Sequence, residues 1–385
     1  MRTPLLITCL FTLLFTGSMH AQDRVPELED RVMQLTLIHP IGTNGVDGPT
    51  IRNNLSLSVV LGVNGGLNGA ELGGFGNIVM QDAQFLQVAG FFNFVGGHFT
   101  GAQGAGFLNI VDESMNGVQG AGFLNIAGNP VQGVQGAGFM NVASRDLQGL
   151  QGAGFMNLAS GDVRGAQGAG FMNIAGEDVT GAQLAGFMNI GGAVHGFQAA
   201  GFMNIARQLH GLTLAPINII DSVRSGVPIG ALSIVKKGGY FRGALWAGET
   251  MTATAAIKTG LTRFYNIFGF GVHAHTDARI YGPMYGIGAR IGLGEKWKMH
   301  LEGHHYQLIE DWFVINRLHS LERFQIGFEW LWTQRIGLTA GVAWNALLED
   351  NREPLPTIAP VELVELSRGN YNVTMWPGAH IGLIF

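Results

Sequence analysis

The chain has 385 residues, of which 60 are glycine and only 13% are charged, and its formal net charge is -5. A negative chain without a basic patch excludes nucleic acid as an expected partner. So much glycine with so few charges is unusual for a soluble enzyme, and it favours short strands with tight turns, or strands that face lipid.

The first 21 residues have the pattern of a secretory signal peptide. Arg2 supplies a positive charge, Leu5 to Phe15 form a short apolar run, and cleavage is predicted after Ala21. The run is too short to span a bilayer as a helix; a buried N-terminal helix is the alternative. The one cysteine, Cys9, lies in this run, so no disulfide or thiolate metal site is expected in the exported protein.

A tandem repeat follows a polar lead-in of residues 22–54 and occupies residues 55–238. Each unit reads G-x-Q-G-A-G-F-M-N-I-A before a variable turn, and phenylalanine and glutamine recur with it. An asparagine recurs every 16 residues, at Asn77, Asn93, Asn109, Asn125, Asn141, Asn157, Asn173 and Asn189. Glu71 stands at the glutamine position of the first unit. Such a fixed period indicates an array of equal structural units.

Period-two alternation within a unit predicts strands, with Gln119, Phe123 and Asn125 on one face. Two architectures fit. In a β-solenoid the coils stack in one orientation, so that these residues form ladders along a rod of about 55 Å. In an antiparallel meander each unit is one strand. The one-unit period, and the lack of Tyr and Trp before Tyr240, favour the solenoid over a membrane meander.

Residues 239–385 change to longer alternating strands, the pattern of an antiparallel outer-membrane β-barrel. The eight expected strands are 240–250, 252–264, 267–276, 281–293, 296–308, 320–333, 335–348 and 373–385. In the sixth, Phe324 and Phe328 alternate with Arg323 and Glu329. Phe385 at the last position resembles the insertion signal of outer-membrane barrel proteins. A soluble β-sandwich or soluble barrel is the alternative.

The repeat resembles the "surface repeat" proteins of Gram-negative envelopes, whose units read roughly G-V-Q-x-A/G-G-x-x-N-x-A. The match covers about residues 65–235, just under half of the chain, and it is specific because the motif recurs so often. The resemblance implies an envelope or cell-surface protein. It supplies no functional residues.

No motif predicts catalysis or a cofactor, because the Gly-x-Gly pairs lack the strand-to-helix context of a phosphate loop. The expected barrel lumen carries two histidine pairs, His273 with His275 and His300 with His304, which are weak candidates for a metal site. The favoured interpretation is that the lumen charges pair with one another as a plug.

We therefore predict a non-enzymatic envelope protein, exported and anchored in the lipid bilayer of the outer membrane. Its repeat domain, periplasmic or surface-exposed, would serve adhesion, spacing or binding of other envelope or surface molecules. The rival is a porin-like or transport protein in which repeats and C-terminal strands close one barrel of about twenty strands. A hydrolase with His275, Asp277 and Ser320 is a third class, although nothing in the sequence brings these residues together.

Overall fold

A computed structural model of the chain describes residues 27–274, 279–310, 319–350, 358 and 363–385. The predicted signal peptide lies outside these residues. The described chain is all-β: a parallel β-solenoid of about twelve coils precedes a closed antiparallel barrel of eight strands. The predicted fold class is confirmed, and the meander alternative is wrong because neighbouring repeat strands run parallel.

The solenoid is one sheet of 22 strands, joined near its start by the 3₁₀ helix η1 (Gly45–Thr50). Its strands are β1 (Glu29–Ile38), β2 (Ile41–Gly42), β3 (Ile51–Asn64), β4 (Gly66–Gly73), β5 (Gly76–Val79), β6 (Ala83–Ala89), β7 (Phe92–Val95), β8 (Phe99–Ala105), β9 (Leu108–Val111), β10 (Met115–Ala121), β11 (Leu124–Ala127), β12 (Val131–Ala137), β13 (Met140–Ala143), β14 (Leu147–Ala153), β15 (Met156–Ala159), β16 (Val163–Ala169), β17 (Met172–Ala175), β18 (Val179–Ala185), β19 (Met188–Ala200), β20 (Met203–Leu214), β21 (Ile217–Ile229) and β22 (Leu232–Lys237). A regular coil therefore has a seven-residue strand and a four-residue strand.

The interior of each coil has an apolar half and a polar half. In one unit Val131 and Ala143 point inward and stack on the equivalent residues of neighbouring coils. Gln135 and Asn141 also point inward and are fully buried. The prediction that phenylalanine shares this face is wrong. Phe139 follows the glycine bend that ends the first strand, so the alternation restarts there and the ring points outward.

The lead-in is part of the solenoid from Glu29 onward, because β1 pairs in parallel with β3. Its inward side chains are polar and satisfy one another: Asn44 Nδ2 donates to Gln34 Oε1 at 2.7 Å, and Asn53 Nδ2 donates to Asn64 Oδ1 at 2.7 Å. The hydrophobic alternation that normally marks a strand is therefore weak in this segment.

The second sheet is the barrel. Its strands are β23 (Tyr240–Gly248), β24 (Ala253–Leu261), β25 (Phe264–Ala274), β26 (Arg279–Gly292), β27 (Trp297–Gln307), β29 (Ser320–Leu331), β30 (Gly337–Asp350) and β32 (Tyr371–Ile384), with β28 (Ile309–Glu310) and β31 (Val364–Arg368) in the links between them. The first strand pairs with the last, Leu245 lying opposite Leu383, and this pairing closes the barrel. The alternative of one barrel built from repeats and C-terminal strands is therefore excluded.

The two rims of the barrel differ in the length of their links. At the short-turn rim the links between β24 and β25, β26 and β27, and β29 and β30 have two, four and five residues. At the opposite rim, the loop rim, the links have four, four, twelve and twenty residues. The solenoid enters the barrel at the short-turn rim, because β23 begins there.

Candidate functional site

Glu302, 1% exposed, is the centre of a polar network inside the barrel. It forms an ion pair with Lys258, and it accepts hydrogen bonds from the hydroxyl of Tyr265 at 2.5 Å and from Gln325 Nε2 at 2.9 Å. His304 Nε2 lies 3.1 Å from its second carboxylate oxygen. Both oxygens are therefore fully used, as a buried carboxylate requires.

A second carboxylate continues this network toward the short-turn rim. Glu329 Oε2 lies 2.8 Å from Arg290 Nε and 2.8 Å from His300 Nε2. The other ring nitrogen of His300 lies 2.9 Å from the hydroxyl of Tyr265, which also donates to Glu302. One imidazole and one phenol thus connect the two carboxylates.

Arg323 organises the part of the interior nearer the loop rim. Its Nη1 donates to Glu249 Oε1 at 2.8 Å, to Thr250 Oγ1 at 2.9 Å and to Asn345 Oδ1 at 3.1 Å, and its Nη2 donates to the carbonyl of Ala379 at 3.1 Å. The ion pair between Arg323 and Glu249 is the third in the network, so its three cations balance its three carboxylates. Each buried cation of the network is therefore paired with a carboxylate inside the barrel.

The predicted histidine pairs do not converge on one point. His273 Nδ1 lies 2.8 Å from the Thr250 carbonyl, whereas His300 and His304 contact the two network carboxylates. His273 and His300 both lie on strands that pair with β26, but their partners on β26 are ten residues apart. This spacing corresponds to about 33 Å along the strand. His275 lies outside the described residues. Among the residues that are described, no three His, Cys, Asp or Glu side chains are grouped to hold a metal ion.

Apart from the exposed pair His305 and Glu322 near the loop rim, the outer wall of the barrel is largely apolar, and it ends in an aromatic belt at the short-turn rim. The belt contains Phe241, Trp297, Trp332 and Phe385, each at least half exposed. Phe385 is fixed there by two backbone hydrogen bonds to Gly243, of 2.8 and 2.9 Å. Such girdles are typical of barrels at a membrane interface.

The last coil of the solenoid rests on the outer wall of the barrel, near the short-turn rim. Ile257 and Thr259 face outward on β24, but only Ile257 is exposed, because β22 covers Thr259. Thr259 Oγ1 donates to the carbonyl of Ser233 at 3.0 Å. Asn266, directly opposite on β25, is buried and accepts a hydrogen bond from Tyr285. Sequence reasoning missed this contact, although polar residues at outward positions signal it.

Two ladders of amide side chains run through the solenoid. The predicted asparagines are fully buried, and each donates from Nδ2 to Oδ1 of the asparagine in the next coil at 2.9–3.0 Å: Asn77, Asn93, Asn109, Asn125, Asn141, Asn157, Asn173 and Asn189. The glutamine ladder runs the other way, as Gln135 Nε2 donates to Gln119 Oε1 at 2.7 Å. Both ladders are structural, since their polar atoms point into the core.

Glu71 begins the glutamine ladder with a buried carboxyl group. Gln87 Nε2 donates to it at 2.9 Å, and Ser56 and Asn64 donate to its other oxygen. Burial raises the pKa of Glu71 to about 7, although these hydrogen bonds act to lower it. The solenoid therefore contains a carboxyl group that changes charge near neutral pH.

One corner of the solenoid is apolar and the opposite corner is polar. Phenylalanine rings at the Gly-Phe bends stack at 4.8–5.0 Å and remain 36–49% exposed: Phe75, Phe91, Phe107, Phe123, Phe139, Phe155, Phe171, Phe187 and Phe202. The opposite turns carry acidic residues that bind the backbone of the next coil, as when Asp146 Oδ1 accepts from the Asp162 amide at 3.0 Å. The solenoid is therefore amphipathic across its section.

Comparison with known proteins gives no match: no family model, no curated protein and no solved structure corresponds to the chain. The resemblance to surface repeat proteins therefore stays a prediction. Among the described residues, no helix is long and apolar enough to cross a membrane.

Proposed function

We propose that the chain is a non-enzymatic envelope protein, anchored in the outer membrane by its barrel and carrying its solenoid at one membrane surface. The observation that carries this proposal is the polarity of the barrel wall. On β29, Phe324 and Phe328 are exposed, whereas Gln325 and Glu329 are buried inside. Apolar residues outside and paired charges inside are the pattern of a barrel in lipid.

A soluble barrel would bury its apolar face instead. The largest apolar patch of a typical soluble monomer covers about 300–600 Å². Exposed apolar residues here extend around the barrel, with Leu245, Ile287, Phe328, Val342 and Ile381 on five different strands. A lipid environment removes the cost of exposing this surface to water.

The position of the solenoid supports a periplasmic placement. Outer-membrane barrels have short periplasmic turns and longer extracellular loops. The solenoid joins the short-turn rim and covers Thr259 there. We therefore place the repeats in the periplasm, where a rigid rod with one apolar corner suits spacing and partner binding.

Tryptophan quenching by brominated lipids tests the anchor, because all seven Trp residues lie in the barrel segment. Two variants of the full chain in vesicles each retain one tryptophan, the outward Trp332 or the fully buried Trp376. We expect strong quenching of Trp332 and little quenching of Trp376. Equal quenching of both, or of neither, would contradict a lipid-facing wall.

Single-channel recording separates this proposal from a transport role. The interior network and the aromatic side chains leave a filled lumen, so we expect no steady conductance from the purified protein. Large, steady pores would overturn the sealed-anchor proposal.

Cysteine labelling tests the side of the membrane. The chain after Ala21 has no cysteine, so an Asp162→Cys variant carries a single thiol on the polar corner of the solenoid. A membrane-impermeant maleimide should label it only after the outer membrane is permeabilised. Labelling in intact cells would place the repeats outside the cell.

A further inference from the structure

One charged pair interrupts the apolar outer wall of the barrel. His305 on β27 and Glu322 on β29 are register partners, and both side chains face outward, 48% and 56% exposed. Nδ1 of His305 lies 2.5 Å from Oε1 of Glu322. The neighbouring inward residues on the same strands are His304 and Arg323, which belong to the interior network. The packing of the lumen therefore does not account for the outer pair.

The pair lies within the apolar band of the wall. His305 is eight residues beyond Trp297, a belt residue at the start of β27. Eight residues span about 26 Å along a strand, or about 20 Å up a barrel whose strands tilt by about 40°, whereas the apolar band of such barrels is about 25 Å tall. The neighbouring strands β26 and β30 extend past this level toward the loop rim. A charge at this depth on the lipid face destabilises a barrel.

Next to the pair, toward the short-turn rim, the wall has a groove at Gly303. A Cβ built on Gly303 would meet no atom within 4 Å, and Gly303 is the one outward residue of the described strand β27 that has no side chain. The groove has a volume of about 440 Å³, and its apolar lining consists of Tyr285, Ile287, Phe324 and Trp344. Phe324 is the register partner of Gly303 on β29, and its ring projects outward, 55% exposed. A hole and a projecting ring therefore lie side by side.

These features are complementary to a second copy of the same wall. A two-fold axis parallel to the barrel axis, placed between β27 and β29, sets β27 of one copy against β29 of the other. The imidazole of His305 in each copy then faces the carboxylate of Glu322 in the other. In the same way, the ring of Phe324 in each copy faces the groove at Gly303 in the other. Such an interface uses one patch twice and closes as a dimer.

A lipid environment favours this occupant over an acyl chain. Apolar surfaces gain little by meeting each other in a bilayer, so association there depends on close packing and on polar contacts. The groove and Phe324 supply the packing, and His305 with Glu322 supplies the polar contact. In the dimer each Glu322 carboxylate lies beside two imidazoles, whereas an acyl chain in the groove would leave the pair facing hydrocarbon.

The solenoid leaves this part of the wall free. Its last coil contacts β24 at Thr259, and β25 and β26 separate β24 from β27 in the closed sheet. The wall formed by β27 and β29 therefore points away from the coil contact. Because the two-fold axis is parallel to the barrel axis, both copies can stand in one membrane with their solenoids on the same side.

We propose that this part of the wall, made up of Gly303, His305, Glu322 and Phe324, joins two copies of the chain side by side as a two-fold dimer in the membrane. The inference rests on the proposed function, because the wall faces lipid only if the barrel is in a bilayer. The partner is a second copy of this chain.

Charge reversal with complementation tests which surfaces meet. Sedimentation equilibrium of the full chain in a density-matched detergent measures the dimer dissociation constant. His305→Glu leaves two carboxylates at the site and Glu322→Lys leaves two basic groups, so each variant alone should raise the dissociation constant by at least about tenfold. An equimolar mixture of the two variants should form a mixed dimer about as tight as the natural one, because each basic side chain then faces a carboxylate.

The groove is tested with two leucine substitutions. Gly303→Leu fills the groove that receives Phe324 and should raise the dissociation constant by at least about tenfold. Ala255→Leu is the matched control, because it adds a leucine at an exposed outward position of β24, away from this patch, and should leave the dissociation constant unchanged. Far-UV circular dichroism and Trp fluorescence check that every variant keeps the barrel fold.

The outcomes separate the dimer from the anchor. A natural chain that stays monomeric, a dimer that both charge variants keep, or a mixture that stays monomeric would overturn the dimer. Equal effects of Gly303→Leu and Ala255→Leu would also overturn it. A lipid retained by the monomer in native mass spectrometry and lost in Gly303→Leu would assign the groove to lipid instead. A monomer whose Trp332 is quenched by brominated lipids leaves the anchor in place, whereas a chain without such quenching overturns the anchor and the dimer together.

Discussion

Glu71→Gln replaces one buried carboxyl oxygen with an amide nitrogen and should make the solenoid's stability less dependent on pH. The pKa of Glu71 rises from an ordinary 4.5 to about 7 in the folded chain. At 1.36 kcal/mol per pKa unit, ionising this buried carboxyl costs about 3 kcal/mol. Gln has the shape of the protonated acid, and glutamine occupies this position in the following coils.

The direction of this pH dependence follows from whether Glu71 ionises first in the folded or in the unfolded chain. Below about pH 4.5 Glu71 is protonated in both states, and the variant and the natural chain should be equally stable. As pH rises from 4.5 to about 7 the unfolded chain ionises first, so the natural chain loses stability and the variant does not. Above pH 7 the variant should be more stable by about 3 kcal/mol.

Urea unfolding followed by far-UV circular dichroism measures this difference at about pH 5 and about pH 8. Trp fluorescence follows the barrel separately, because the solenoid has no Trp. Glu177→Gln, at an exposed turn of the solenoid, removes the same charge and should give no such difference. A Glu71→Gln gain that is equal at both pH values would refute the reasoning, since it would not arise from ionisation.

Three further predictions concern two glycines of β12 and the barrel. Gly133→Ala should lower the solenoid's unfolding free energy by about 1–3 kcal/mol, because Gly133 has a positive φ. Gly136→Ala should leave the unfolding free energy unchanged or slightly higher, because Gly136 does not have a positive φ. Equal losses for the two variants in urea unfolding would contradict this difference between the two glycines. Lys258→Met should lower the barrel's unfolding free energy by about 3–5 kcal/mol, because it leaves Glu302 buried without its cation. Adding Glu302→Gln should restore part of this stability. Unfolding in detergent, followed by Trp fluorescence, measures both effects. Thr259→Val removes the hydrogen bond to the Ser233 carbonyl, which should weaken the solenoid–barrel contact by about 1 kcal/mol and speed hydrogen exchange in β22. Unchanged exchange in β22 would show that this hydrogen bond does not hold the last coil on the barrel.

The sequence predicts the features that depend on local periodicity. The 16-residue spacing of Asn125 and Asn141 requires equal environments, and parallel stacking supplies them. The alternation of Phe324 with Arg323 correctly predicts which residues face the barrel interior. Both inferences need only the repeat distance and the two-residue period of a strand.

The features that the sequence did not predict depend on how distant segments meet. Simple alternation predicts that Phe123 lies on the inner face, because it ignores the bend that Gly122 introduces between two short strands. The contact of Glu302 with Lys258 joins residues that are 44 positions apart in the sequence. Alternation predicts that both side chains face the interior, but it does not predict the relative height of the two residues along the barrel axis. That height depends on the stagger of the strands.

The uniform ladders also mean that the amide contacts in the middle of the solenoid do not fix its register. Gln119 stacks on Gln135 in the same way as Gln135 stacks on its next neighbour, so a slip of one whole unit replaces each amide contact with an equivalent one. The ends are distinct: the Asn44 and Glu71 clusters lie at the start, and the contact of Ser233 with the barrel lies at the finish. These two ends therefore act as reference marks that select one alignment during folding, and whole 16-residue units can be gained or lost between them without changing either mark.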